Sequence, residues 1–81
     1  MNDETKKAIA SASDALEAIS YKISTAAELT AIALEEAYED RPKMRTIEVL
    51  LNVVIDALSD QSSELQHWSI ELDRIERSEN K

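Results

Sequence analysis

The chain has no cysteine and no glycine, a single proline at Pro42, and only three aromatic side chains: Tyr21, Tyr38 and Trp68. Without cysteine there is neither a disulfide scaffold nor a thiolate zinc site. Without glycine the cheapest source of positive φ is missing, and a fold built on tight β-turns is excluded. Long apolar runs are missing too. The longest, residues 49–55, is broken by Asn52 and falls far short of the roughly 18 residues that cross a bilayer. Positive charge is in deficit, with 9 basic against 17 acidic side chains, a net charge of −8 and a pI near 4.5. Such a surface does not favour anionic lipid or nucleic-acid phosphates, so neither a membrane nor a nucleic acid is the expected partner. The start, Met-Asn-Asp-Glu, lacks the basic-then-apolar pattern of a secretory leader, and a cytoplasmic location is expected.

What is present is helical. Hydrophobic residues make up 43% of 81 residues, enough for one all-α domain over residues 1–81. The one strong breaker is Glu39-Asp40-Arg41-Pro42-Lys43. Proline disfavours helix at the residue before it and suits the first turn of the next. The pattern predicts a helix over about 3–40, a turn at 41–43, a second helix over about 42–77, and a frayed tail at 78–81. Asn2 or Asp3 is the expected N-cap. The serine-rich stretch 59–63 is the one place where the second helix could break, but its apolar phase is unbroken, and one long helix is expected.

The apolar spacing alternates three and four in both halves. The second half carries Met44, Ile47, Leu51, Val54, Leu58, Gln61, Leu65, Trp68, Leu72 and Ile75; the first carries Ile9, Ala12, Leu16, Ile19, Ile23, Ala26, Thr30, Ala33 and Ala37. Such stripes form the seam of a coiled coil or helical bundle. Folded back about Pro42, the stripes match one to one: Ile9 with Ile75, Leu16 with Trp68, Ile23 with Gln61, Ala33 with Leu51. Alanines at 12, 26 and 33 then face leucines at 72, 58 and 51, as a close-packed seam requires. The expected architecture is a long antiparallel helical hairpin, coiled-coil-like. Its surplus of apolar residues, Leu29, Ile32, Val49, Leu50, Val53 and Ile55, points to an oligomer interface. A homodimeric four-helix bundle would bury it.

Candidate chemistry is sparse. No catalytic constellation is expected: cysteine is absent, His67 is the one histidine, and the serines have no evident base. Glu64-Leu65-Gln66-His67 has the E-x-x-H ligand spacing of carboxylate di-iron bundles. It occurs once and flanks the seam, while the first helix offers alanines where inward ligands should stand. No metal or cofactor is therefore expected, with Glu64 and His67 the weak candidates. Trp68 is expected in the core. At the turn, Glu35, Glu36, Glu39 and Asp40 crowd the C-terminal end of one helix, and Arg41, Lys43 and Arg45 the start of the next. Each cluster opposes its own helix dipole. Tyr38, Glu39, Asp40, Arg41, Lys43 and Arg45 are accordingly the candidate partner-binding tip.

The functional expectation is a small acidic, non-catalytic interaction or regulatory protein. Its rows of carboxylates, Asp14, Glu17, Glu28 and Glu35 on one helix and Asp56, Asp60, Glu64, Glu71 and Asp73 on the other, complement the basic surface of a nucleic-acid-binding partner. Small acidic helical proteins of phages and mobile elements act in that manner, by analogy of class. An alternative rests on organisation alone. Both helices together resemble the plasmid copy-number regulator Rop, whose dimer of helical hairpins binds paired RNA loops. That resemblance implies an RNA-binding hairpin dimer, against which stands the scarcity of basic residues: Lys6, Lys7 and Lys22 in the first forty. A metal-carboxylate bundle is the third reading.

Overall fold

A computed structural model describes residues 2–79 and consists of two helices, α1 (Asp3–Ala37) and α2 (Met44–Glu79), joined by residues 38–43. They lie antiparallel in a rod measuring 62 × 15 × 13 Å. Asn2 caps α1, its side-chain oxygen accepting the Thr5 backbone N–H at 2.7 Å. Asp3 and Glu4 place negative charge beside the positive end of the helix dipole. α2 runs unbroken through the serine-rich stretch 59–63.

The ends differ from the expected ones by a few residues, for reasons the turn makes plain. α1 stops at Ala37, three residues before Asp40. The Tyr38 N–H is shared between the carbonyls of Leu34 (3.3 Å) and Glu35 (3.2 Å), and the Glu39 N–H goes to Glu36 (3.1 Å). The last turn thus tightens to i→i+3 bonding and closes. α2 begins at Met44 and not at Pro42. Lys43 is its cap, since its carbonyl accepts the first helical bond, from Ile47. Its own N–H donates to Glu36 Oε1 at 2.9 Å. In a capping box a side chain inside the new helix takes that N–H; here the preceding helix supplies the carboxylate. No described residue has positive φ, so the turn is made without glycine. At the far end Ser78 and Glu79 remain helical where fraying was expected, while Asn80 and Lys81 lie outside the described residues. Thr5 donates to Glu79 across the pair, which is the register expected from the matched stripes.

The seam is narrower than the double stripe. Writing each seven-residue repeat as a to g, with Ile9 and Leu51 at a, the d residues are the buried ones. They are Ala12, Ile19, Ala26 and Ala33 on α1 and Val54 and Gln61 on α2. Ile47, Trp68 and Ile75, also at d, are half-buried. The a residues are not. Ile9, Leu16, Ile23, Leu51, Leu58, Leu65 and Leu72 are each 37–45% exposed. The expected packing of Ala12, Ala26 and Ala33 under Leu72, Leu58 and Leu51 is therefore only partial. In a two-stranded coiled coil the line of contact falls between a and d and buries both. Here it passes through d, about 30° further round at 100° per residue. The antiparallel pairing puts the a residues of both helices on one broad face and the g residues on the other.

Candidate functional site

Three surfaces surround this seam. The first is the face carrying the a and e positions. Its centre is the half-exposed ribbon of Ile, Leu and Thr30. The Thr30 hydroxyl is already satisfied by the Ala26 carbonyl at 2.8 Å and brings no unmet polar demand. The ribbon is edged by the e residues Ser13, Ser20, Ala27 and Leu34 on α1 and Ile55, Ser62 and Ser69 on α2. Between Ile9 and Ala37 on α1, and between Leu51 and Leu72 on α2, neither position carries a charge. In a chain that is 32% charged, this segregation is the strongest pattern on the molecule. Lys6, Glu48 and Glu76 close the ends.

The second surface is the opposite face, built from g and c. Near the turn it is apolar: Leu29 and Leu50 are half-buried beside the seam, and Ile32 and Val53 stand out, each about half exposed. Val49 projects from the outer side of α2 next to them. Away from the turn this face becomes charged through Lys22, Asp60, Glu64, Glu71 and Arg74. Glu71 bonds Arg74 at 2.8 Å. That hydrogen bond, with the Arg74 charge behind it, holds the Glu71 carboxyl below its ordinary range, and the nearby His67 adds a little in the same direction. The six residues expected at an oligomer interface therefore do not share one face: Leu29, Ile32, Leu50 and Val53 lie on this one, Val49 beyond its edge, and Ile55 on the other.

The third surface is the tip. Tyr38, Glu39, Asp40, Arg41, Lys43 and Arg45 are all exposed, Tyr38 at 80%. The acidic and basic clusters do not pair with each other: among the described residues no ion pair crosses the turn. Arg45 instead runs along its own helix to Glu48 at 3.5 Å. The antiparallel fold sets the acidic end of α1 beside the positive end of the α2 dipole, and the basic start of α2 beside the negative end of α1. Clusters adverse to their own helices favour each other's. Only Glu36, half-buried and bonded to Lys43 N–H, is committed to structure.

Elsewhere the side chains gather little chemistry. Glu64 and His67 are exposed, and among the described residues no three His, Cys, Asp or Glu side chains come together as a metal cluster would need. His67 stacks edge-on against Trp68, ring centres 5.3 Å apart. Trp68 is half-buried at a d position of the seam. A cleft of about 130 Å³ at the terminal end is lined by Asn2, Thr5, Arg74 and Ser78 among others, below the roughly 300 Å³ at which small-molecule sites begin. A second depression, beside Tyr21, is lined by one helix alone. No described helix is long and apolar enough to cross a membrane.

Sequence reasoning found the tip and the apolar stripes but not the charge-free face. The signal was legible: e positions hold only Ser, Ala, Leu and Ile from residue 13 to 34 and from 55 to 69. It needed the contact line to be placed through d before a and e could be read together. No protein-family model, no curated protein and no solved structure matches this chain.

Proposed function

We propose that this chain is a small, non-catalytic regulatory protein, a homodimeric helical bundle of the phage or mobile-element kind, that binds and occludes the basic surface of a nucleic-acid-binding protein. One observation carries the reading. The exposed tip, which includes Tyr38, adjoins the apolar patch of Ile32, Val49 and Val53, on a rod whose outer sides carry rows of carboxylates. An exposed aromatic beside aliphatic side chains suits the centre of an interface and the mixed charge around it suits the polar rim, whereas carboxylates alone serve solubility. The acidic flanks supply long-range attraction to a basic partner and speed its encounter. The two-chain state is part of the proposal because half of the buried set of a single hairpin is alanine, and a small hairpin gains little from such a core.

The test is capture from a native lysate with lysine-reactive cross-linking at Lys43, followed by competition with duplex DNA or RNA. A basic protein joined to the tip, displaced by nucleic acid and lost with Tyr38→Ala, is the expected result. Recovery of nothing, or of proteins indifferent to competitor and to Tyr38→Ala, rejects the proposal. The RNA-binding alternative has the hairpin organisation in its favour, and a salt-sensitive shift of structured RNA by the purified protein would replace the leading reading with it. Stoichiometric iron or manganese in protein purified without chelator would instead favour the metal-carboxylate bundle.

A further inference from the structure

We infer that the charge-free a/e face is the surface through which two copies pair, turn-to-tail, with the two Gln61 side chains meeting in the central layer. The inference rests on the homodimer of the proposed function and names its face and geometry. Four independent observations converge on a second copy as the occupant.

The first is extent. The charge-free stretch runs about 42 Å along α1 and about 32 Å along α2 at ~1.5 Å per residue on a rod 15 Å wide, a flat footprint on the order of 550 Å² that the relief of its side chains carries toward the roughly 800 Å² each partner contributes to a standard stable interface. The second is rotation. The contact line through d leaves the a side chains evenly half-exposed from Ile9 to Leu72, the posture of helices whose a and d residues point to a common axis shared with two more helices. A matching seven-residue repeat on two antiparallel helices is what this ribbon interlocks with, and the chain itself presents one.

The third is Gln61. It is 6% exposed and its Oε1 has no hydrogen-bond partner. An unpaired buried acceptor is costly. Gln61 sits at the middle of α2, which runs from Met44 to Glu79, and so at mid-length of the rod. A two-fold axis across the rod at that point sets the partner's Gln61 in the same layer; with both side chains turned out of the seam toward the a/e face, each carboxamide N–H donates to the other's oxygen. A lone polar layer of that kind sets register in helical assemblies.

The fourth is shape. Far from the turn the face is edged by serines; near the turn it is edged by Leu34 and Ile55. Turn-to-tail pairing lays Leu34 over the partner's Ser13 and Ile55 over the partner's Ser69, large against small, and brings Ser62 against the partner's Ser62. Lys6 approaches the partner's Glu39. Glu48 nears the partner's Glu76 but already carries Arg45 as its own cation. The turn-to-turn alternative sets serine on serine and presses Glu48 against Leu34.

Sedimentation over a wide concentration range, with single cysteines introduced into a chain that has none, tests this. A mass twice the 9.1 kDa of one chain is expected, and one chain's mass at every concentration overturns both the dimer and its geometry. Given a dimer, Leu58→Glu with Leu65→Glu should yield monomer while Ile32→Glu with Val53→Glu leaves the mass doubled. The reverse pattern overturns the face and spares the dimer. Should the leucine variants unfold, the geometry is read from covalent cross-linking of the otherwise native chain. Oxidised Ser62→Cys should convert to covalent dimer at several times the yield of Ser69→Cys. Failure of Ser62→Cys alone, with cross-linking between Ser62→Cys and Ser20→Cys chains, would establish turn-to-turn pairing and defeat the turn-to-tail arrangement.

Discussion

From Ile9 to Ala37 and from Leu51 to Leu72 one broad face of the hairpin carries no charge; on the other, Lys22, Asp60, Glu64, Glu71 and Arg74 interrupt the apolar residues everywhere but near the turn. Both faces border the same seam, and both have aliphatic side chains to spare. The difference lies in how those side chains are distributed. A charge-free surface that runs along most of α1 and the middle of α2 suits burial against a partner with the same repeat, while one confined to a turn-proximal patch suits a small contact beside the exposed tip. Counting apolar residues cannot separate these roles; the placement of charge around them does.

The sharpest way to break the contrast is to charge each face in turn. Two glutamates at Leu58 and Leu65 leave unpaired charge in an apolar interface, costing about 3–5 kcal/mol or more, and should weaken dimerisation by at least ~100-fold. Two glutamates at Ile32 and Val53 should change it less than about threefold, because surface substitutions are usually within ~0.5 kcal/mol. Sedimentation equilibrium reads both; equal sensitivity of the two faces would erase the distinction.

Gln61→Leu comes next. Exchanging both amides of the paired layer for leucine trades register for apolar packing and should leave the assembly at least as stable, with an equal or higher melting temperature by circular dichroism. The same change should cost specificity, so the Ser62→Cys cross-link should lose its advantage over Ser69→Cys. A fall in melting temperature would mean that the amide layer contributes net stability as well as register.

Smaller effects belong to the caps. Glu36→Ala strips the Lys43 N–H of its acceptor and Asn2→Ala that of Thr5. Each should cost about 1 kcal/mol in thermal melts, and neither should move the dimer constant. The smallest effect is electrostatic. The Glu71 carboxyl is held below its ordinary value by Arg74, so the pair's contribution is complete above the unfolded-state value and fades as pH falls through the folded one. Carbon-detected NMR titration should show the Glu71 midpoint rising toward the ordinary value in Arg74→Ala. The overall acid stability should barely change, since the pair is exposed.

Much of the architecture is legible in the sequence. The three-four spacing and Pro42 are enough for two helices, their antiparallel fold and a register that Thr5 and Glu79 display. Continuity through residues 59–63 follows from phase, because an apolar pattern that never slips outweighs the weak helix preference of three serines. The ends are less legible. Glu36 reaches seven residues forward to cap Lys43, and a long-range cap of that kind leaves no local signature for a propensity argument to use. The seam is half legible. Spacing identifies a and d together, but which of them a neighbouring helix covers depends on the rotation of each helix about its axis, and that is fixed by tertiary packing. The tip is visible as a cluster of charge, yet its electrostatics are inverted by the fold. Charges adverse to their own dipoles become favourable once the opposite dipole lies alongside.

The slenderness of the rod has a consequence for scattering in solution. Its radius of gyration is 18.3 Å, where a compact chain of this length would have about 12 Å. Side-by-side pairing thickens such a rod without lengthening it, so forward X-ray scattering per chain should double while the radius of gyration stays close to that of one hairpin. End-to-end association would raise both together. One small-angle curve thus reports how the copies sit as well as how many there are.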